Sequence, residues 1–151
     1  MPRMLYLAVV AGALVVGLAF AVPVRAETVH VAKTASCGCC GLWIEHLKKN
    51  GFSVTAENVA HGTLARLKLQ AGLKNPELHS CHTAKVAGYV IEGHVPAAVV
   101  KRLLAEKPVA IGLTVPGMPL GSPGMEAGDR REPYDVLLVK RDGSTAVFAR
   151  H

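Results

Sequence analysis

The chain has 151 residues, of which 50% are apolar, 19% charged and 5% aromatic, and its formal net charge at pH 7 is +6. Regular Val, Leu and Ile patterning with modest charge argues against a predominantly disordered chain. Basic residues are scattered among acidic ones rather than gathered in a block, which argues against nucleic-acid binding.

The first 26 residues have the features of a secretory signal peptide. Residues 5–24 carry no charge, Arg3 precedes them, and Val24 and Ala26 place small residues three and one positions before a cut. We therefore predict a signal peptide over residues 1–26 and one exported domain over residues 27–151. Removing Arg3 and Arg25 leaves 15 basic and 11 acidic residues, a net charge of +4. The uncharged run is also long enough to span a bilayer, so membrane contact is expected only through an uncleaved leader.

The first part of the exported domain predicts strands alternating with helices. Patterns of period two predict strands over residues 28–33 and 52–56, and helical patterns follow each of them, over residues 42–50 and 63–71. A third strand is predicted over residues 86–92. It is followed by a helix that Pro96 opens and Pro108 ends. His94, just before that helix, is predicted to cap it or to lie at the surface.

The last part predicts a loop and a hairpin. Residues 112–133 contain five Gly and four Pro, and an irregular segment of that length is more typical of function than of a simple connection. Strand-like runs over residues 134–140 and 145–150 are joined around Asp142 and Gly143, a hairpin signal. Together the elements predict an α/β domain of thioredoxin-like architecture, with a central mixed sheet, flanking helices and a C-terminal β-hairpin.

The cysteines are the chemically informative residues. Cys37, Cys39 and Cys40 lie within four residues of one another between the first strand and the first helix, and Cys81 is distant in sequence. The N-terminus of a helix stabilises anions and lowers the pKa of a thiol. The C-x-x-C spacing of Cys37 and Cys40 is typical of thioredoxin-like redox sites, so these two are the predicted catalytic pair.

Crowded thiolates repel one another unless a cation binds them, and soft thiolates select Cu(I), Zn(II) or iron–sulfur centres. The C-x-C-C run matches neither zinc nor iron–sulfur spacing, which favours a small Cu(I)–thiolate cluster. His79 and His82, which flank Cys81, are candidate further ligands. Met118 and Met125 each follow Pro-Gly and stay open as thioether ligands or as caps over the core.

A structural role for the cysteines is the alternative. In an exported protein, four cysteines can form two disulfides, and the pairing of lowest strain joins Cys37 to Cys40 and Cys39 to Cys81. Such staples do not require three sulfurs at one helix end, which makes the metal or redox interpretations preferable.

Four segments carry a family resemblance: residues 37–41 with Trp43, 79–83, 88–96 and 115–126. They resemble the CopG-type family of exported bacterial proteins, which are often encoded beside copper-resistance genes. The resemblance spans nearly all of residues 28–149. It implies a thioredoxin-like fold, a periplasmic location, and copper bound by the cysteines that match Cys37, Cys39, Cys40 and Cys81.

Two functional hypotheses follow. The first is an exported copper-binding protein in copper resistance or homeostasis, which holds Cu(I) on its four thiolates and buffers it or passes it to an efflux partner, with redox cycling of the cysteines. The alternative is a periplasmic thiol–disulfide oxidoreductase without an obligatory metal, which exchanges electrons with a redox partner through a Cys37–Cys40 disulfide. Whether the protein is an enzyme depends on which of the two holds.

Overall fold

The structure, a computed structural model, describes residues 27–151, so the predicted signal peptide lies outside the described residues. Seven strands form one mixed sheet in the order β2-β1-β3-β4-β5-β6-β7. The pairs β1·β2 and β4·β5 are parallel and the other four are antiparallel. The strands are β1 (Thr28–Lys33), β2 (Ser53–Asn58), β3 (His82–Val86), β4 (Tyr89–Glu92), β5 (Gly112–Thr114), β6 (Asp135–Val139) and β7 (Thr145–Arg150).

Three α-helices and one short 3-10 helix accompany the sheet: α1 (Gly38–Lys49), α2 (His61–Gln70), the 3-10 helix Pro76–Leu78 and α3 (Ala97–Glu106). The mixed α/β class and the C-terminal hairpin of β6 and β7 are therefore confirmed. Within residues 27–151, no helix combines the length and apolar character needed to cross a bilayer.

The main core lies between the sheet and helices α1 and α3. Trp43 and Leu47 of α1 and Leu103 of α3 are fully buried and share one cluster with Ile91 of β4. Val90, the neighbour of Ile91, belongs to a second and smaller cluster. Successive strand residues point to opposite faces, so β4 is covered on both sides.

Three sequence predictions about element boundaries were wrong. The irregular segment predicted over residues 112–133 begins with strand β5, Gly112–Thr114. Helix α1 begins at Gly38 rather than at residue 42, which brings Cys39 and Cys40 into its first turn. The single strand predicted over residues 86–92 is two antiparallel strands, β3 and β4, joined by a tight turn. Ala87 and Gly88 form that turn with φ angles of 47° and 85°. His82 is thus the first residue of β3 and is buried.

Candidate metal centre

The junction of β1 and α1 positions three sulfurs at a helix N-terminus. Cys37 is the N-cap residue of α1, its side chain caps no backbone group, and the first turn contains no acidic residue. The free N–H groups and the helix dipole therefore face the cysteine side chains. A thiolate or a metal-bound sulfur is stabilised at such a position.

The fourth sulfur reaches this cluster from the loop before β3. Cys81 Sγ lies 3.6 Å from Cys40 Sγ and 3.9 Å from Cys39 Sγ. Cys39 Sγ lies 3.5 Å from Cys37 Sγ, and all four sulfur atoms lie within 4.8 Å of one another. Two sulfurs bound at 2.3 Å to one tetrahedral ion are about 3.8 Å apart. The three sulfur–sulfur distances are thus close to the spacing of sulfur ligands that share a metal ion.

The sulfurs are partly oxidised in this structure. Cys37 and Cys40 form a disulfide with their Cα atoms 5.4 Å apart, whereas Cys39 and Cys81 are free thiols. The second bridge of the structural alternative, Cys39–Cys81, is not formed. Two free thiols therefore lie beside a disulfide.

Two buried imidazoles border Cys81. His94 Nε2 lies 3.1 Å and His82 Nδ1 lies 3.4 Å from Cys81 Sγ. Both histidines are 0% exposed. The His82 ring also packs against the Trp43 ring, with 4.3 Å between centroids. Cys81, His82 and His94 form a second group of ligand atoms that lie within 4.8 Å of one another.

The prediction that His94 would cap a helix or lie at the surface was wrong. Its Nδ1 lies 2.8 Å from the carbonyl oxygen of Pro123, in the loop between β5 and β6. That loop packs onto α1 at Gly124, where an added Cβ would lie 2.8 Å from Cys39 O and Trp43 N. The loop therefore covers the cluster and holds the His94 ring in place.

The remaining candidate ligands are His79, Met118 and Met125. His79 Nε2 lies 2.8 Å from the Leu73 carbonyl oxygen, and His79 belongs to neither group of clustered ligand atoms in the part of the chain described. Met118 is 51% exposed. Met125 is half-buried in the same loop. The degree of exposure alone assigns neither methionine a role as a metal ligand.

Burial sets the protonation of the site. It raises the pKa of the Cys81 thiol to about 12, and the neighbouring Cys39 adds to this effect. Burial also lowers the pKa of His82 well below its ordinary value, with the nearby His94 contributing, and it lowers the pKa of His94. Both imidazoles are therefore neutral near pH 7, the form that binds metals, while Cys81 keeps its proton until a metal displaces it.

A buried ion pair that sequence reasoning missed supports the Cys81 loop. Lys68 Nζ of α2 contacts Glu92 Oε1 of β4, with side chains 6% and 0% exposed. The Glu92 carboxylate also accepts hydrogen bonds from Ser80 N and from Thr83 Oγ1, each at 2.6 Å. The backbone next to Cys81 is thereby anchored to β4. The sequence signal for this pair was the position of Lys68 on the otherwise apolar side of the helix predicted over residues 63–71.

A cavity of about 300 Å³ reaches the sulfurs from the side of α2. Cys37 and Cys81 line it together with His61, Lys68 and Ser80, among others. Cys37 and Cys81 are both partly exposed, while Cys40 is fully buried. An ion or a small thiol can therefore approach Cys37 and Cys81 from solvent without rearrangement of the helices.

Two solved structures of a copper resistance protein CopG, Form 2 and Form 1, match this chain at 42% sequence identity with a TM-score of 0.78. Each match covers 84% of this chain, and 99% and 98% of those chains respectively. The chain belongs to the CopG-type family. A family described as "Protein of unknown function, DUF411" matches residues 78–125, the segment that includes Cys81, His82 and His94. No curated protein matches the chain. In this family member, the cluster of four cysteines fits copper binding.

Proposed function

We propose that the protein is exported to the periplasm, where it binds Cu(I) on Cys37, Cys39, Cys40 and Cys81 in copper resistance. The observation that carries the proposal is the convergence of four sulfurs, all within 4.8 Å of one another. A ligand set of sulfur alone favours soft Cu(I) over harder cations. The similarity to copper resistance proteins supports the same cargo.

The crowding of the sulfurs supports a cluster of several ions rather than a single one. Three pairs of sulfurs lie 3.5, 3.6 and 3.9 Å apart, so that each thiolate can bridge two ions. Metal binding must displace the proton from Cys81, and it requires prior reduction of the Cys37–Cys40 disulfide. Full loading is therefore a property of the reduced protein.

The test is an anaerobic Cu(I) titration of the reduced domain, residues 27–151, against a competing chelator. We expect more than one tightly bound Cu(I), a lower capacity in Cys81→Ser and Cys39→Ser, and a lower capacity when the Cys37–Cys40 disulfide is intact. His30→Gln is the matched control, because His30 is an exposed side chain of β1 whose Nδ1 contacts Thr55. Unchanged Cu(I) capacity in all the cysteine variants would contradict the proposal.

A second candidate function is thiol–disulfide exchange on a thioredoxin-like unit. The disulfide at the N-terminus of α1 favours it, with Cys37 partly exposed and Cys40 buried. Support for the fold comes from the order β2-β1-β3-β4, in which β1 and β2 are parallel and β3 is antiparallel to both of its neighbours. A dithiol donor would reduce the disulfide with two electrons and two protons and would itself become a disulfide.

This exchange can be coupled to copper. The reduced pair Cys37 and Cys40 holds two electrons, enough to convert two Cu(II) into two Cu(I) as the disulfide forms and two protons leave. The reduction potential of the disulfide tests turnover. We expect a value above about −300 mV, because inert structural bridges lie below that value. A lower potential would argue against redox turnover, whereas Cu(I) binding by the chemically reduced protein would be unaffected.

A further inference from the structure

A second cavity lies on the face of the sheet that is turned away from the main core. Val29 and Val31 of β1 belong to that core, so His30 and Ala32, which alternate with them, point to the opposite face. On this face a cavity of about 300 Å³ opens beside Leu67 of α2. Its lining includes no cysteine, so it is separate from the sulfur cluster.

The register of the strands creates this cavity. Ala32 pairs with Glu57 of β2 on one side and with Thr83 of β3 on the other, so the three side chains form one row across the face. The methyl group of Ala32 is shorter than either neighbouring side chain, which leaves an open space above it. Leu67 closes one side of that space with an apolar wall.

The wall of the cavity at β3 is fixed by buried hydrogen bonds. Thr83 is 5% exposed, and its hydroxyl accepts a hydrogen bond from Lys68 Nζ at 2.9 Å and donates one to Glu92 Oε2 at 2.6 Å. The Glu92 carboxylate also accepts the hydrogen bond of Ser80 N. A ligand that contacts Thr83 is therefore linked through two hydrogen bonds to the Ser80 amide, which can report its binding.

The rim of the cavity carries one charge of each sign. In the row next to that of Ala32, His30 pairs with Thr55 on one side and with Lys85 on the other. His30 Nδ1 lies 2.8 Å from Thr55 Oγ1, and Lys85 supplies the cation at β3. Neither Lys85 nor Glu57 forms an ion pair with another residue of the described chain. Both charges are therefore available to a ligand.

The separation of the two charges selects the length of that ligand. Lys85 and Glu57 lie two strands apart and are offset by two residues along the strands. With a strand spacing of about 4.8 Å and a rise of about 3.3 Å per residue, their Cα atoms are about 12 Å apart. The two side chains cover part of this span. A peptide of two extended residues, about 7 Å long, covers the rest.

We propose that this cavity binds a dipeptide with free ends, with its ammonium group at Glu57, its carboxylate at Lys85 and an apolar side chain against Leu67. An apolar cleft with a few placed polar groups is the usual form of a small-molecule site. The opposite charges at the two ends fix the direction in which the peptide lies. The inference is independent of the proposed function, because the cavity and the sulfur cluster share no residue.

The test is calorimetric titration of the domain, residues 27–151, with alanyl-leucine and with two probes that each lack one charge, N-acetyl-alanyl-leucine and alanyl-leucine amide. We expect one alanyl-leucine per chain and binding of each blocked probe that is weaker by about fivefold, the effect of one exposed ion pair. Glu57→Gln should weaken alanyl-leucine but not its N-acetyl form, and Lys85→Gln should weaken alanyl-leucine but not its amide. Glu45→Gln, on the exposed side of α1, is the control and should leave all three unchanged.

Filling the cavity is a second test that does not depend on charge. Ala32→Leu places a larger side chain in the open space and should abolish binding of alanyl-leucine. Nuclear magnetic resonance of the wild type covers the case in which this variant does not fold, because alanyl-leucine should shift the Ser80 amide signal in a saturable way. Absence of saturable binding, equal binding of the three probes, or undiminished binding in a folded Ala32→Leu variant would overturn the proposal.

Discussion

Neutralising Glu92 should destabilise the domain strongly, because it leaves the Lys68 ammonium buried without its counter-charge. The two side chains are 0% and 6% exposed, and the carboxylate holds Ser80 N and Thr83 Oγ1 in addition to Lys68. Breaking a buried pair from one side has a cost of about 3–5 kcal/mol. Glu92→Gln should therefore remove much of a stability that is about 5–15 kcal/mol for a typical domain.

A double-mutant cycle separates the ion pair from the other contacts. Lys68→Met should be less harmful than Glu92→Gln, because the carboxylate keeps two hydrogen-bond donors. The double variant should be more stable than the sum of the two single effects predicts, with a coupling of about 1–3 kcal/mol.

Urea unfolding at pH 7.5 with the Cys37–Cys40 disulfide intact gives all of these free energies. The control is Glu45→Gln at the exposed Lys48–Glu45 pair, with a nitrogen–oxygen distance of 2.9 Å, where a loss of at most about 1 kcal/mol is expected. If Glu92→Gln is no more harmful than Glu45→Gln, or if the two buried substitutions are additive, the anchoring role assigned to this pair is wrong.

Two further predictions concern the covering loop and the packing of α1. At Gly124, φ is +87° and an added Cβ would lie 2.8 Å from Cys39 O and Trp43 N; at Gly128, φ is +62° and no atom lies within 4 Å of an added Cβ. Gly124→Ala should therefore lower the midpoint of thermal unfolding clearly more than Gly128→Ala. Equal shifts would show that the close approach to α1 is unimportant. Burial lowers the pKa of His46 against an opposing effect of Glu126, and its Nε2 accepts the Ala97 N–H at 3.0 Å. Below about pH 6.5, His46 therefore binds a proton in the unfolded chain but not in the native state. The free energy of unfolding consequently decreases as the pH falls below that value. His46→Gln, which keeps an acceptor, should flatten the dependence of the unfolding free energy on pH between 6.5 and 5, and an unchanged slope would contradict this reasoning.

The fold was predictable where local patterns carry the information. Strand β1, the hairpin of β6 and β7 and the helix after Pro96 follow from periodicity, Asp142-Gly143 and proline placement. The turn between β3 and β4 was missed because Ala87 occupies a left-handed position with φ of 47°, where Asn or Asp would have signalled a turn. The start of α1 was missed because Gly38 and Gly41 are poor helix formers and Cys37 caps no N–H group.

Residue chemistry and spacing predicted the cysteine part of the site but not the histidine part. The convergence of Cys81 with the three clustered cysteines was expected and is confirmed. The position of His94 depends on contacts with Cys81 and Pro123, 13 and 29 residues away in sequence, which no local pattern records. The flanking of Cys81 by His79 and His82 did not distinguish them, whereas strand geometry does: His82 lies beside the sulfur and His79 lies against Leu73.

X-ray absorption at the copper edge of the reduced domain, loaded with Cu(I), tests the central claim most directly. We expect the nearest neighbours of copper to be mostly sulfur, with a copper–copper scattering contribution from bridging thiolates. In Cys81→Ser that contribution and part of the bound copper should be lost. A first shell of nitrogen and oxygen, or a spectrum that Cys81→Ser leaves unchanged, would contradict it.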